Sequence, residues 1–292
     1  MKHILIVGLV FLLSLVASIA SIKPNTFKHI LIINFENEWV YDALKIKTWR
    51  ELAIMGKFLS NYYAVTHPSQ PNYIAQVTGS TQGVHSDSNH DIDTTSIVDL
   101  LEKKGLTWRA YMENYPTNGD STCFTDAHGP NKMYYRKHNP FMSVNNIREN
   151  PKRCKQFYNE KGFDEDVRAV AEEGKPLPNL MYFTPNIDND GHNTNLTFSG
   201  NWLYSFLPPL LNNSAFMKDT LIVATFDEDD YTHNNQVYTC LWGPTHIIGQ
   251  AGTGDNTKYN HYSLLRTIED NFELGTLGRN DDSAISFKIP NL

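Results

Sequence analysis

Basic charge is scarce in this chain: 25 lysines and arginines stand against 32 aspartates and glutamates, a net of −7. A surface of that sign argues against a nucleic-acid-binding role, which needs a basic face to meet the phosphate backbone. Cysteine is scarce too, with only Cys123, Cys154 and Cys240, so one internal bridge is the most the chain can form. No second long apolar run follows the N-terminal one, so no membrane span is expected in the mature protein. Internal repeats, low-complexity tracts and linker-like stretches are missing as well. The roughly 270 residues that follow the N-terminal segment are therefore expected to fold as one large α/β domain with a sizeable core.

The N-terminus is the exception to the missing apolar runs. Met1-Lys2-His3 leads into an apolar stretch from Ile4 to Val16 and then Ala17-Ser18-Ile19-Ala20, the form of a secretory signal over residues 1–20. Its removal, with Lys2, leaves a net charge of −8. Export would carry the cysteines to an oxidising compartment. Cys123 and Cys154 lie in loop-like sequence and are expected to be bridged, while Cys240 sits in the apolar run Val237–Trp242 and reads as a buried thiol. Sequence alone leaves any of the three pairings open. Asn195-Leu196-Thr197 and Asn212-Asn213-Ser214 are glycosylation sequons, which makes a glycoprotein the expectation wherever the host glycosylates exported chains.

Beyond residue 20, apolar runs alternate with helical patterns. The runs His29–Phe35 and Thr220–Phe226 are continuous and rich in β-branched residues, as strands buried on both faces of a parallel sheet are. Asn179–Thr184, Thr107–Met112 and Val237–Trp242 read as further strands. Helices are expected from a capping box at Thr48–Glu51 onward through Leu59, over Pro71–Thr78 closed by Gly79, over Ser96–Lys104, over Asp164–Glu173 and over Tyr262–Phe272. A Trp202–Leu211 segment is interrupted by Pro208-Pro209. Residues 113–162 lose this periodicity and form a loop-rich excursion. The alternation predicts a three-layer α/β/α sandwich around a mostly parallel sheet.

Chemistry collects where three strands end. Glu36-Asn37 follows His29–Phe35, Asp188-Asn189-Asp190-Gly191-His192 comes shortly after Asn179–Thr184, and Asp227-Glu228-Asp229-Asp230 follows Thr220–Phe226. Ligands of open α/β sheets bind beyond the carboxyl ends of the strands, so these acids can converge there. Carboxylates gathered so closely repel one another unless a cation lies between them. Ser69 follows another strand-like run and precedes the Pro71 helix, where free N–H groups and the helix dipole favour an anion and an alkoxide. No Gly-x-Ser-x-Gly elbow surrounds it, so activation by a cation fits better than a serine triad.

The motifs FENE, HPSQPNY, WRAYMENYP, YYRKHNPF, LPNLMYFTPNIDNDGHN, TFDEDD and NHYSLLRTIEDNFELG, in that order, resemble the secreted phosphoesterase family that includes acid phosphatases and bacterial phospholipases C. The resemblance runs from about His29 to Gly278. It implies the alkaline-phosphatase-like superfamily, an α/β/α sandwich whose nucleophile is a metal-bound Ser or Thr at a helix start. On that resemblance Glu36 is the first metal-binding acid with Asn37 beside it, Ser69 is nucleophile and ligand, Asp188 and His192 match an Asp-x-x-x-His pair, and Asp227-Glu228 stands at the strand-end Asp-His pair. Glu228 in place of that histidine, together with oxygen ligation at Glu36, favours Ca²⁺, Mg²⁺ or Mn²⁺ over zinc. Sulfatases of the superfamily need an arginine four residues after the nucleophile; here that residue is Tyr73.

His192 and His261 are the histidines expected to act, as ligands or as donors to the phosphoryl and leaving oxygens. Asn72, Arg136 and His138 are the candidates for contacting substrate, with Lys137 as a further positive charge beside Arg136. His128 and His138 lie in the excursion, where a solvated ring is the commoner outcome, and His67 before Pro68 can simply shape a turn. The expected function is hydrolysis of small phosphate monoesters by a secreted, metal-dependent enzyme. A phosphodiesterase or phospholipase C, and more remotely a non-catalytic binding protein, are the alternatives.

Overall fold

The computed structural model describes residues 25–290 and 292; the signal segment expected over residues 1–20 lies outside them. In chain order the strands are β1 (His29–Phe35), β2 (Lys57–Leu59), β3 (Tyr62–Tyr63), β4 (Trp108–Met112), β5 (Phe157–Tyr158), β6 (Leu180–Thr184), β7 (Thr220–Phe226), β8 (Thr239–Trp242), β9 (Thr253–Asp255) and β10 (Tyr259–Asn260). Eight of them form one sheet in the order β5-β4-β6-β1-β7-β8-β2-β9. Its pairings are parallel except at β8, which runs antiparallel to β7 and β2. The central strands are those with unbroken apolar runs: β7 is buried along its whole length and β1 beyond its first residue. Polar residues at these positions would face a helix on either side of the sheet, which is why the run does not alternate.

Adjacent residues of β6 show the two helical layers. The Tyr182 hydroxyl donates to Gln76 Oε1 at 3.0 Å and its ring meets Phe141, on the face covered by the helices Ser69–Thr78 and His261–Asn271. Phe183 points the other way, into Phe163, Trp202 and Phe206 of the helices Glu160–Glu172 and Leu196–Leu211. The expected three-layer arrangement with a mostly parallel sheet is thus the one observed.

Several boundaries differ from the sequence pattern. The second helix is Lys47–Met55, preceded by Ile46 without a side-chain cap, so Thr48–Glu51 is no capping box. Thr48 is turned inward against the helix Leu196–Leu211, where a Cβ on Gly200 would lie 2.5 Å from Thr48 Oγ1; only glycine lets the two helices approach this closely. That helix ends at Met55, and Leu59 belongs to β2 instead. Leu196–Leu211 runs on through Pro208 and Pro209 as one helix. Within the excursion of residues 113–162, Cys123 and Cys154 are bridged and Cys240 is free and buried, as expected. β5 returns the excursion to the sheet beside β4. Asn195 and Asn212 of the two sequons are exposed.

One buried acid lies far from the strand ends discussed below. Glu269, on the helix His261–Asn271, is 1% exposed, and neither carboxyl oxygen has a hydrogen-bond donor. Burial, reinforced by the neighbouring Asp281 and opposed by Arg266, pushes its pKa up to about 9. Asp281 already accepts the N–H groups of Leu277 and Arg279, at 2.6 and 3.0 Å. The folded chain therefore keeps a proton on Glu269 that the unfolded chain, with an ordinary value of 4.5, gives up. The resulting stability is complete below about pH 4.5 and is lost progressively as pH rises toward 9. Glu269→Gln should accordingly be more stable than the wild type by a margin that grows between about pH 5 and 8, reaching at least about 1 kcal/mol, or roughly 2–4 °C in Tm. Calorimetric melting across that range reads it directly, and a margin independent of pH would overturn the assignment.

Candidate active site

Glu36 and Asp227 are brought together by register. Phe35 pairs with Phe226 across the parallel β1–β7 ladder, so the next residue of each strand emerges beside the other. The Asp227 N–H donates to Phe35 O at 2.9 Å, and the Glu36 N–H donates to Asp190 O at 3.0 Å on the β6 side. Three neighbouring strands therefore deliver three acids to one edge. Glu228 follows Asp227 and completes a group of four carboxyl side chains, none more than 1% exposed.

The helix Ser69–Thr78 aims Ser69 into this group. It begins at Ser69 itself, with Pro68 as its cap and Pro71 third, two residues earlier than the sequence pattern indicated. Asn72 fixes the approach: its Oδ1 accepts the N–H groups of Val65 and Thr66 at 3.0 and 3.1 Å, and its Nδ2 donates to the carbonyls of Thr66 and Pro68 at 2.8 and 3.1 Å. A buried amide with all its hydrogen-bonding capacity spent on the backbone has none left for substrate. Asn72 is thus corrected from a substrate contact to the brace of the serine turn.

Ser69 Oγ lies 3.0 Å from Glu36 Oε2 and 3.0 Å from Glu228 Oε1. A hydroxyl has one proton and can satisfy only one of them. The Asn37 carboxamide faces the same three oxygens, so its nitrogen is placed there, 3.0 Å from Glu36 Oε2, 3.2 Å from Glu228 Oε1 and 3.3 Å from Ser69 Oγ. Asn37 N–H also donates to Asp227 Oδ1 at 3.2 Å. Burial is the main force on all four acids: it raises Glu36 to about 7 and Glu228 to about 8, and lifts Asp190 and Asp227 well above the usual carboxylate range. Mutual repulsion adds to it.

Lys137 opposes that repulsion. It is mostly buried, bonds Asp87 Oδ2 at 3.1 Å and lies 3.2 Å from His192 Nε2, and its charge favours ionised Glu36, Asp190 and Glu228. Arg136, the other expected cation, is used elsewhere. Its guanidinium donates to the carbonyls of Thr125, His90 and Met142 and to Asp91, which makes it a clamp for the excursion and not a phosphate contact.

The histidines sort differently from the sequence reading. His138 is not solvated: it is 2% exposed, with Nε2 3.2 Å from Glu36 Oε1, Nδ1 3.2 Å from Asp190 Oδ2 and its ring stacked on Tyr73. Tyr73 itself donates to Glu36 Oε1. His67, read only as a turn residue, bonds Glu228 Oε2 through Nδ1 and stacks on the exposed Tyr231. His192 is near Glu36 and His138, with its ring toward solvent. His261 is a correction: Nε2 pairs with the Asp227 carbonyl at 2.6 Å, Nδ1 accepts from the Tyr62 hydroxyl at 3.1 Å, and burial lowers its pKa to about 4. It holds the Asp227 backbone and has no free nitrogen for a cation or a leaving group.

Asp188 is also corrected. Its N–H and that of Asn189 donate to Asn186 Oδ1, and its carbonyl accepts from Thr194. This tight turn carries Asp190, two residues on, to His138. Of the two acids in this run, it is the Asp190 carboxylate that faces His138, at 3.2 Å.

The donor set fits a divalent cation. Asp227 Oδ2, Asp190 Oδ2 and His138 Nε2 are buried without hydrogen-bond partners, and one hydroxyl faces two carboxylates. Glu36, His138 and His192 present ligand atoms within 4.8 Å of one another. His138 thus adds a second nitrogen donor beside His192, which the sequence already offered as a ligand.

A mostly parallel sheet covered on both faces by helices, with a serine at a helix start and acids at its carboxyl edge, makes this an α/β fold. The fold superposes on a Vibrio parahaemolyticus protein in the alkaline phosphatase superfamily with a TM-score of 0.57, covering 88% of this chain and 71% of that one at 14% identity. The chain belongs to the Phosphoesterase family, whose model matches residues 38–275. It is 37% identical to an acid phosphatase of Aspergillus fumigatus over 94% of its own length and 60% of the fungal protein's. It is 28% identical to a phosphatidylinositol-3-phosphatase of Mycobacterium tuberculosis, over 89% of this chain and 81% of that one. The chain thus spans less than two thirds of the fungal relative.

Asn72→Ala provides a test of the brace. It should cost about 2–3 kcal/mol of stability, because several backbone groups lose their partner. Any hydrolytic activity should fall in kcat with KM changed less than about twofold. A loss carried by KM would return Asn72 to the substrate.

Proposed function

We propose that the chain is a secreted, metal-dependent acid phosphatase that hydrolyses small phosphate monoesters through Ser69. One observation carries the reading: the Ser69 hydroxyl is held 3.0 Å from two buried carboxyl groups at the start of a helix, with Lys137 beside them. The names of the fungal and mycobacterial relatives, both phosphatases, support the ester class. Export rests on the N-terminal sequence.

A divalent cation among Glu36, Ser69, Asp227 and Glu228, with His138 and His192 in reach of Glu36, would supply the charge that stabilises the Ser69 alkoxide and the phosphoryl oxygens. Ser69 gives its proton to Glu228, whose Oε1 lies 3.0 Å from Ser69 Oγ. Oγ attacks phosphorus in line, the Oγ–P bond forming as the bond to the leaving oxygen breaks. His192, the solvent-facing histidine beside Lys137, donates a proton to the departing alcohol. A water then gives a proton to His192 and attacks the phosphoserine. The Oγ–P bond breaks, phosphate leaves, and Ser69 recovers its proton from Glu228. Lys137 holds the phosphoryl charge throughout.

Ser69→Ala should lower kcat at least a thousandfold, about 4 kcal/mol of barrier, with the fold intact by circular dichroism. Retention of more than a tenth of the turnover would reduce Ser69 to a helix start. p-Nitrophenyl phosphate should be cleaved faster than its bis ester; the opposite ranking would favour a phosphodiesterase.

The metal is checked separately. Protein purified without chelators should carry about one divalent cation per chain, and Asp227→Asn should lower that content. Full activity after long incubation with excess chelator would sink the metal-dependent reading.

A further inference from the structure

The expected anion pocket at the start of the serine helix is filled by the protein's own side chain. Asp87, from the loop between the helices Ser69–Thr78 and Ile97–Lys103, accepts the Gln70 N–H on Oδ1 at 2.9 Å and the Lys137 ammonium on Oδ2 at 3.1 Å. Gln70 N–H is the first peptide donor after Ser69, and Lys137 is the cation that reaches the buried acids. Two oxygens on one centre, sharing a negative charge and divided between a helix-start N–H and an ammonium, reproduce how two nonbridging phosphoryl oxygens would be held next to Ser69.

We propose that Asp87 is an internal stand-in for the substrate: its carboxylate occupies the phosphoryl-oxygen subsite of the free protein, and phosphate displaces it. The inference rests on the phosphatase reading and adds to it the donors that bind the phosphoryl group and the competitor they must release. Charge requires the release, because a phosphate dianion beside a retained Asp87 would share Lys137 with one more anion in a site already rich in them.

The loop permits it. The Asp87 side chain is about one-third exposed, and His85, Ser86, Ser88 and Asn89 around it face solvent. The backbone stays fixed independently of the carboxylate: Val84 is buried, and the Gln70 amide nitrogen, in the orientation that satisfies its neighbours, donates to the carbonyls of Ser86 and Ser88. Rotation of one side chain toward water then vacates both donors without opening the core.

The test is calorimetric titration of the metal-replete mature chain with inorganic phosphate, alongside KM for p-nitrophenyl phosphate. Asp87→Asn removes the charge but keeps an oxygen for Gln70 N–H. Its Kd for phosphate should fall at least fivefold, with KM falling in parallel, whereas Lys137→Met should raise Kd at least tenfold. An unchanged or raised Kd in Asp87→Asn would overturn the proposal and make Asp87 a fixed cap that positions Lys137. Should the variant fold poorly, the wild type still decides: carbodiimide labelling of Asp87, read by peptide mass spectrometry, should rise as phosphate is added, and protection of Asp87 would overturn it. A wild type that neither binds phosphate nor cleaves the ester would instead sink the phosphatase reading itself.

Discussion

Four carboxyl groups withdrawn from water against a single serine hydroxyl set the terms for the rest of this structure. Glu36, Asp190, Asp227 and Glu228 are each at most 1% exposed. Burying one unpaired carboxylate costs several kcal/mol, and burying four together compounds that cost through repulsion. A fold selected only for stability would replace such a cluster with apolar residues. Its place at the carboxyl edge of the sheet suits it to face positive charge, and the surrounding donors are arranged accordingly. Tyr73, Asn37, His138 and the backbone N–H groups of Asn37 and Glu228 each face a carboxyl oxygen.

The sheet makes the cluster affordable. Because β6, β1 and β7 are parallel neighbours, their last residues leave the sheet side by side, and their apolar bodies anchor the acids to the most buried part of the molecule. Polar braces run beneath the site as well. Gln76 on the serine helix donates to Asn34 of β1 and accepts from Tyr182 of β6, and His261 joins Tyr62 to the Asp227 carbonyl. Each brace ties a helix of one layer to a strand or strand end, so Ser69 and the acids cannot drift apart independently.

The strands and the acids after them were legible because both signals are local. A continuous apolar run names a doubly covered strand, and charge at its end names the edge where a ligand binds. Glu36, Ser69, Asp227 and Glu228 could all be picked out in this way, and the structure brings them within contact of one another or of shared donors. What could not be read was decided by turns. Whether Asp188 or Asp190 faces inward depends on the Asn186 side chain tightening the backbone around residues 188 and 189, which no spacing rule encodes. Thr48–Glu51 had the letters of a capping box, but the helix starts two residues earlier, at Lys47 with Ile46 as its cap, so Thr48 lies inside its first turn, against Gly200. The excursion of residues 113–162 hid the most: it carries Lys137 and His138 into the site in sequence with no periodicity to reveal which side chains turn inward.

The polar residues that changed role share a physical criterion. Asn72 and His261 have the chemistry of substrate contacts, yet each is held at hydrogen-bonding distance by backbone groups or a neighbouring hydroxyl, and its donors and acceptors are consumed. His138, Asp190 and Asp227 are equally buried, but each keeps an atom without a hydrogen-bond partner. Burial alone therefore does not separate a structural polar group from a functional one, and neither does a single unspent valence, since Glu269 and Arg136 Nε are unpartnered too; what sets the site apart is that several such atoms gather around one serine. A chain this acidic has many carboxylates to scatter over its surface at no cost. Those that it instead buries together around one serine at a helix start include two, Asp190 and Asp227, with an oxygen that no group among the described residues bonds.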